Sequence, residues 1–143
     1  MKITLVCLVS CLFLSMNAAA RDDRLKFPIE PLLSSEKAKQ ALLDIPIYFA
    51  GQPHATPVKT YGEMSTNKKT NAFNKSDQEA CEWVLLSALK ALQEGALKKG
   101  MNAVVDIKSN YKHNEFVSST EFECGAGTFL SGVALKGTAV TLP

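Results

Sequence analysis

The sequence predicts an α+β domain: a β-α-β-β unit whose antiparallel sheet is covered by one long helix, preceded by an extension with a short helix and a short strand. Three observations predict it. A capped amphipathic segment runs from Ser76 to Gly100. The alternating segments "NAVVDIKS" and "VSSTEFEC" follow it. Cys81 falls on the helix and Cys124 on a strand, so one bridge can pin one layer to the other.

The chain opens with "MKITLVCLVSCLFLSMNAAA", a lysine before an apolar run from Ile3 to Met16 that ends in small residues ahead of "RDDR". This is the layout of a cleaved secretory signal, residues 1–20, and the run is shorter than the roughly 20 residues a membrane-spanning helix needs. The expected location is therefore periplasmic or secreted. The string "LVSC" ending at Cys11 also has the form of a lipoprotein cleavage box, which would leave a lipidated Cys11 at the start. The polar continuation normal for a lipoprotein is replaced here by the apolar "LFLSMNAAA".

Removal of residues 1–20 from 143 leaves 123, the size of one domain with a modest core. The organisation read from the chain is signal 1–20, N-terminal extension 21–57, and α+β domain 58–143. Of the 16 Lys and Arg, Lys2 leaves with the signal, so the rest exceed the 14 Asp and Glu by one. That balance predicts no general affinity for nucleic acid or an anionic membrane, which a basic face would supply. Cys7 and Cys11 depart with the signal, leaving Cys81 and Cys124 as a single pair in an oxidising compartment. A structural disulfide is the expectation, ahead of a reactive thiol or a metal-ligand pair.

In the extension, "FPIEPLL" holds two prolines and resists helix, "SSEKAKQALLD" has the composition of a short capped helix, and "IPIYFA" reads as a short strand. "GQPHATP" is loop. Val58 to Met64 forms the next strand, and "STNKKTNAFNK" reads as a polar, locally basic loop. Ser76 and Glu79 make a capping box that starts the long helix. Cys81, Val84, Leu85, Ala88, Ala91, Leu92 and Gly95 recur on its apolar face, with Gln93 among the outward residues. Lys98, Lys99 and Gly100 close it. In the next strand Ala103, Val105 and Ile107 share one face against Val104, Asp106 and Lys108. Then Thr120, Phe122 and Cys124 oppose Glu121 and Glu123. "GAGTFLSG" is a glycine-rich break, and "VALKGTAVTL" is a last strand with a bulge expected at Gly137.

The segment "KKGMNAVVDI" after a long helix, with the terminal "GTAV" strand, resembles the YbjQ/RcsF-like family, whose YbjQ branch is also called the heavy-metal-binding domain family. The resemblance covers Val58 to Leu142. It implies one sheet under one helix, like a dodecin subunit, and the use of disulfides to pin it. Some relatives form rings, for which the "GTAV" strand would offer an edge. Because the extension can fold back over exposed sheet, a monomer is expected here. The "NKKTNAFNKSDQEAC", "NAVV" and "ALKG" segments also resemble a group of small exported bacterial proteins that carry the label excinuclease ATPase subunit. The residues argue against that activity: "GVALKGT" lacks the lysine that a phosphate-cradling loop places before its Ser or Thr.

Candidate chemistry is sparse. His54 and His113, with Asp106, Glu115 or the cysteines, have no local metal-ligand spacing, so no metal and no cofactor is expected. Glu121 and Glu123 read as the solvated face of a strand. No serine has an elbow motif and no histidine a nucleophile partner, so no enzyme is expected. The candidate binding residues are Lys68, Lys69, Asn71, Phe73 and Asn74, donors around a single apolar ring, suited to an acidic partner, a glycan or a phosphate. The opposing reading is a solvated loop with Phe73 tucked into the core. The function that follows is a non-enzymatic binding or sensing module of the bacterial envelope or secretome, whose partner is a protein or other envelope component. The alternatives are an envelope metal-binding protein and an uncharacterised hydrolase.

Overall fold

The computed structural model describes residues 21–143; the expected signal segment, with Cys7 and Cys11, lies outside them. The α+β class holds, with one long helix on a six-stranded, mostly antiparallel sheet. In chain order the elements are β1 (Asp23–Pro28), α1 (Glu30–Leu33), α2 (Glu36–Ala41), β2 (Ile47–Phe49), β3 (Lys59–Asn71), α3 (Asp77–Lys98), β4 (Ala103–Ser109), β5 (Glu121–Ala126) and β6 (Leu130–Thr141). Three strands follow the long helix, in the segments "NAVVDIKS", "VSSTEFEC" and "VALKGTAVTL" that read as strands in the sequence. Among the described residues no helix is long and apolar enough to cross a membrane.

The last strand organises the sheet. β3 pairs with one edge of β6 from Lys59↔Thr141 to Asn71↔Leu130. The other edge of β6 is shared: β5 takes Gly125↔Gly132 and Ala126↔Ser131, and β4 takes Ser109↔Leu135 through Ala103↔Val140. "GTAV" therefore lies in the middle of the sheet, with both edges occupied, and offers no edge for pairing. The extension supplies the remaining strands. β1, which the sequence did not suggest, pairs antiparallel with β5, and β2 pairs parallel with β4.

Helix α3 lies on the sheet face formed by Val133, Leu135, Gly137 and Ala139 of β6, Phe122 and Cys124 of β5, and Val104 and Ile107 of β4. Ser76 Oγ accepts from Glu79 N at 3.1 Å, as the capping pattern predicts. At the other end Gly100 is left-handed (φ 73°), while Gly100 N and Met101 N donate to Leu97 O and Ala96 O, which satisfies the last carbonyls. Pro31 sits in the first turn of α1, where its missing N–H costs nothing, so the proline-bearing segment is helical after all. Ser35 Oγ caps α2 through Ala38 N.

Two of the sequence-based face assignments change. Asp106 adopts φ 55° inside β4, and the register with β6 shifts there. The extra residue turns the strand over, so Val104 and Ile107 meet the helix while Ala103 and Val105 pack on the opposite face with Val140. Gly137, where a bulge was expected, is in regular register with Met64. A Cβ there would stand 2.8 Å from Val104 Cγ1, so glycine admits close packing; on its β4 side Gly137 faces the register shift, between Val105↔Thr138 and Lys108↔Lys136. On α3, Gln93 is buried, contrary to its assignment as outward. It is the anchor of the extension: Oε1 accepts from Leu43 N at 2.9 Å, and Nε2 donates to the carbonyls of Leu43 and Ile45.

Cys81 and Cys124 are joined by a disulfide, with Cα atoms 5.9 Å apart. Both are buried in the core that also takes Ile29, Leu32 and Phe49 from the extension.

Candidate functional site

The polar run "STNKKTNAFNK" is mostly strand, not loop. Ser65 to Asn71 continue β3 in register with β6, so the chain turns only over residues 72–76. Successive strand residues face opposite sides, and the two lysines are separated accordingly. Lys68 opposes buried Val133 on the helix side. Lys69 opposes Gly132 on the other face, its Cγ 3.6 Å from where a Gly132 Cβ would stand.

Asn71 and Asn74 build the turn. Asn71 Oδ1 accepts from Phe73 N at 2.9 Å, Lys75 Nζ donates to Asn71 O at 3.0 Å, and Asn74 takes a left-handed backbone (φ 61°) that asparagine tolerates. The residue tucked inward is Ala72, not Phe73. Phe73 is 54% exposed and stacks on Phe129 of the β5–β6 turn, ring centroids 5.8 Å apart and planes 14° from parallel. Ala72 N donates to Phe129 O at 2.8 Å, fastening the two turns together. Phe129 is 65% exposed and Leu130 56%. The structure thus gathers an apolar tip, Phe73, Phe129 and Leu130, with Lys69 lining the same groove as Leu130 and Lys75 in the turn that carries Phe73. Phe129 and Leu130 were missed because "GAGTFLSG" reads as a glycine break. The signal was present, an adjacent apolar pair at a turn that no strand alternation buries.

From the tip a groove of about 400 Å³ runs along the face opposite α3, lined by Arg21, Asp22, Lys69, Tyr111, Lys112 and Ser131 among others. It adjoins a second of about 440 Å³ between Asn67, Lys136, Lys112, His113 and Glu115. Lys112 lines both, and Tyr111 forms the wall of the first against the sheet. Its ring lies over Gly125 and Gly132, which oppose each other on β5 and β6; a Cβ on Gly125 would stand 2.0 Å from Tyr111 Cζ. Tyr111 Oη donates to Asp22 at 2.7 Å, and Lys112 also pairs with Asp22. Burial, then the Asp22 hydrogen bond, push the Tyr111 phenol up to about 12. Hydrogen bonds from Lys112 and Tyr111 hold the Asp22 carboxyl below the usual range. Arg21 is engaged by Asp23 and Asp77.

The remaining candidates fall elsewhere. His54 packs its ring 5.4 Å from that of Tyr48, and Nδ1 lies 2.8 Å from Ala55 O. His113 lines the groove with a left-handed backbone (φ 60°). Among the described residues no three His, Cys, Asp or Glu side chains come together as a metal-holding group. Glu121 is exposed as expected, but Glu123 is only 7% exposed, and its Oε1 has no hydrogen-bond partner. The solvated-face reading fails for Glu123 because the return from β4 to β5 bridges Ser109 to Phe116, and Glu123 N donates to Ser109 Oγ beneath it.

Chemically, a pair of exposed stacked rings offers contact area at small entropic cost, and cations near such rings favour acidic or polar groups. Comparison of the chain with protein-family models, curated proteins and solved structures finds no match.

Proposed function

We propose that the protein is an exported, non-enzymatic binding or sensing module of the YbjQ/RcsF-like kind, which captures an acidic envelope component through the Phe73–Phe129 tip. The disulfide suits an oxidising compartment. The observation that carries the reading is the exposed aromatic stack of Phe73 on Phe129, with Lys69 and Lys75 on the segments beside it. A chain that buries Phe49 and Phe122 completely leaves Phe73 and Phe129 in water, where their exposure is costly unless something covers them. Crosslinking in the native envelope, followed by identification of the captured component, tests it. Phe73→Ser with Phe129→Ser, and separately Lys68→Glu with Lys69→Glu, should each weaken capture while leaving the domain folded, since exposed substitutions shift stability by less than about 0.5 kcal/mol. His54→Ala with His113→Ala should leave capture intact. Capture that ignores the tip variants but needs the histidines would sink this reading and put a metal-binding function in its place.

A further inference from the structure

β3 presents an open edge. Among the described residues it pairs with β6 on one side only, and none of the other strands lies against its second side. Ala72 N donates to Phe129 O, so by the alternation of an antiparallel ladder the even residues of this stretch turn their backbone groups to β6. Glu63, Ser65, Asn67 and Lys69 then point theirs away from the sheet, and all four are exposed. The extension covers the edges of β5 and β4 with β1 and β2 but leaves this one uncovered. An edge of this length with free N–H and C=O groups is a template for another strand.

From this edge we infer that the protein forms a two-fold dimer by antiparallel pairing of β3 with β3 of a second copy, about an axis through Thr66. Outward backbone groups must meet outward backbone groups, which allows only registers that oppose odd residues to odd residues. The register centred on Thr66 sets Ser65 against Asn67 and Glu63 against Lys69 of the second copy, each twice by symmetry. Glu63 and Lys69 lie on the same face, opposite Thr138 and Gly132 respectively, and neither makes an ion pair among the described residues. Neighbouring registers lose this charge match, opposing Glu63 to Asn67 or to Asn71. On the helix side the same register sets Thr66 against Thr66 and the stem of Lys68 against Met64, and keeps the lysines of the two copies from facing one another. A monomer was expected from the sequence on the ground that the extension covers exposed sheet; the edge it leaves open reverses that expectation.

Light scattering during size exclusion of the full exported chain tests the pairing. The wild type should run with the mass of a dimer. Glu63→Lys and Lys69→Glu should each give monomer, since each sets like charges opposite one another, and the two together should restore the dimer. Asn67→Pro removes an outward N–H that β6 does not use, so it should give a folded monomer by circular dichroism. A wild type that stays monomeric at every concentration, or a charge swap that fails to restore the mass, would overturn the inference. Glu63 lies away from the tip, so E63K should change mass without changing capture. Loss of either property alone therefore identifies which reading has failed.

Discussion

Tyr111 shows how single residues hold the groove. The ring fills the space left where Gly125 and Gly132 face each other across β5 and β6, so glycine is required there by contact and not by backbone angle. Gly125→Ala puts a Cβ into the ring and should expel it, at a cost of about 1–3 kcal/mol by denaturant melt. Gly132→Ala meets the ring at an ordinary 3.4 Å and should be milder. The phenol gives a second readout. Its value is raised from 10.0 to about 12, which favours the protonated form in the fold. The associated stability is therefore present below about pH 10 and lost as pH rises towards 12. A phenolate absorbance titration should show a late step from Tyr111, and in Gly125→Ala that step should move back towards the ordinary range. Glu123 offers the converse case, a buried carboxylate oxygen without a partner. Glu123→Gln should raise the melting temperature, the gain being on the order of 1 kcal/mol.

At the scale of elements, the sequence was most readable where one pattern ran long. The capping pattern at Ser76, the apolar periodicity and Gly100 define α3 within a residue or two of its observed ends. β3 was read to only about half its length because an edge strand with one sparse apolar position carries little alternation; its helix-side residues Thr66, Lys68 and Thr70 look like loop composition. β4 was read in the right place with the wrong faces, since a single left-handed residue inverts everything beyond it. That residue gives a test: Asp106→Gly should be neutral or stabilising, whereas Asp106→Val forces a branched side chain into the left-handed region and should cost about 1–2 kcal/mol. Gln93 was unreadable for a different reason. Its amide ties down Leu43 and Ile45, residues some 50 positions away whose placement no local pattern encodes. Gln93→Met should leave those backbone groups unpaired and accelerate hydrogen exchange across the 42–46 segment more than elsewhere.

Across the whole molecule, the candidate site was half legible for the same reason: Lys68, Lys69, Asn71, Phe73 and Asn74 are close in sequence, but the ring that completes the stack, Phe129, comes from a turn 56 residues after Phe73. The disulfide, by contrast, was legible from the expected compartment and the cysteine count, and its position explains why a small chain holds together. It joins the early turns of α3 to β5, and Cys124 opposes Leu25 of β1, so one bond fixes the helix to the strand on which the extension is hung. The bridge spans a sequence separation of 43 residues, and closing a loop of that length restricts the unfolded chain by roughly 4 kcal/mol in the entropy model. That is a large fraction of the roughly 5–15 kcal/mol typical of a domain. Cys81→Ala with Cys124→Ala should therefore keep a native-like circular dichroism spectrum in dilute buffer while its urea midpoint falls by an amount corresponding to most of that figure. The wild type in reductant should show the same midpoint, and the oxidised protein should have an intact mass short by two hydrogens and no free thiol. A loss below about 1 kcal/mol in the double variant would mean that Ile29, Leu32, Phe49 and Gln93 already hold the extension and helix in place without the covalent link.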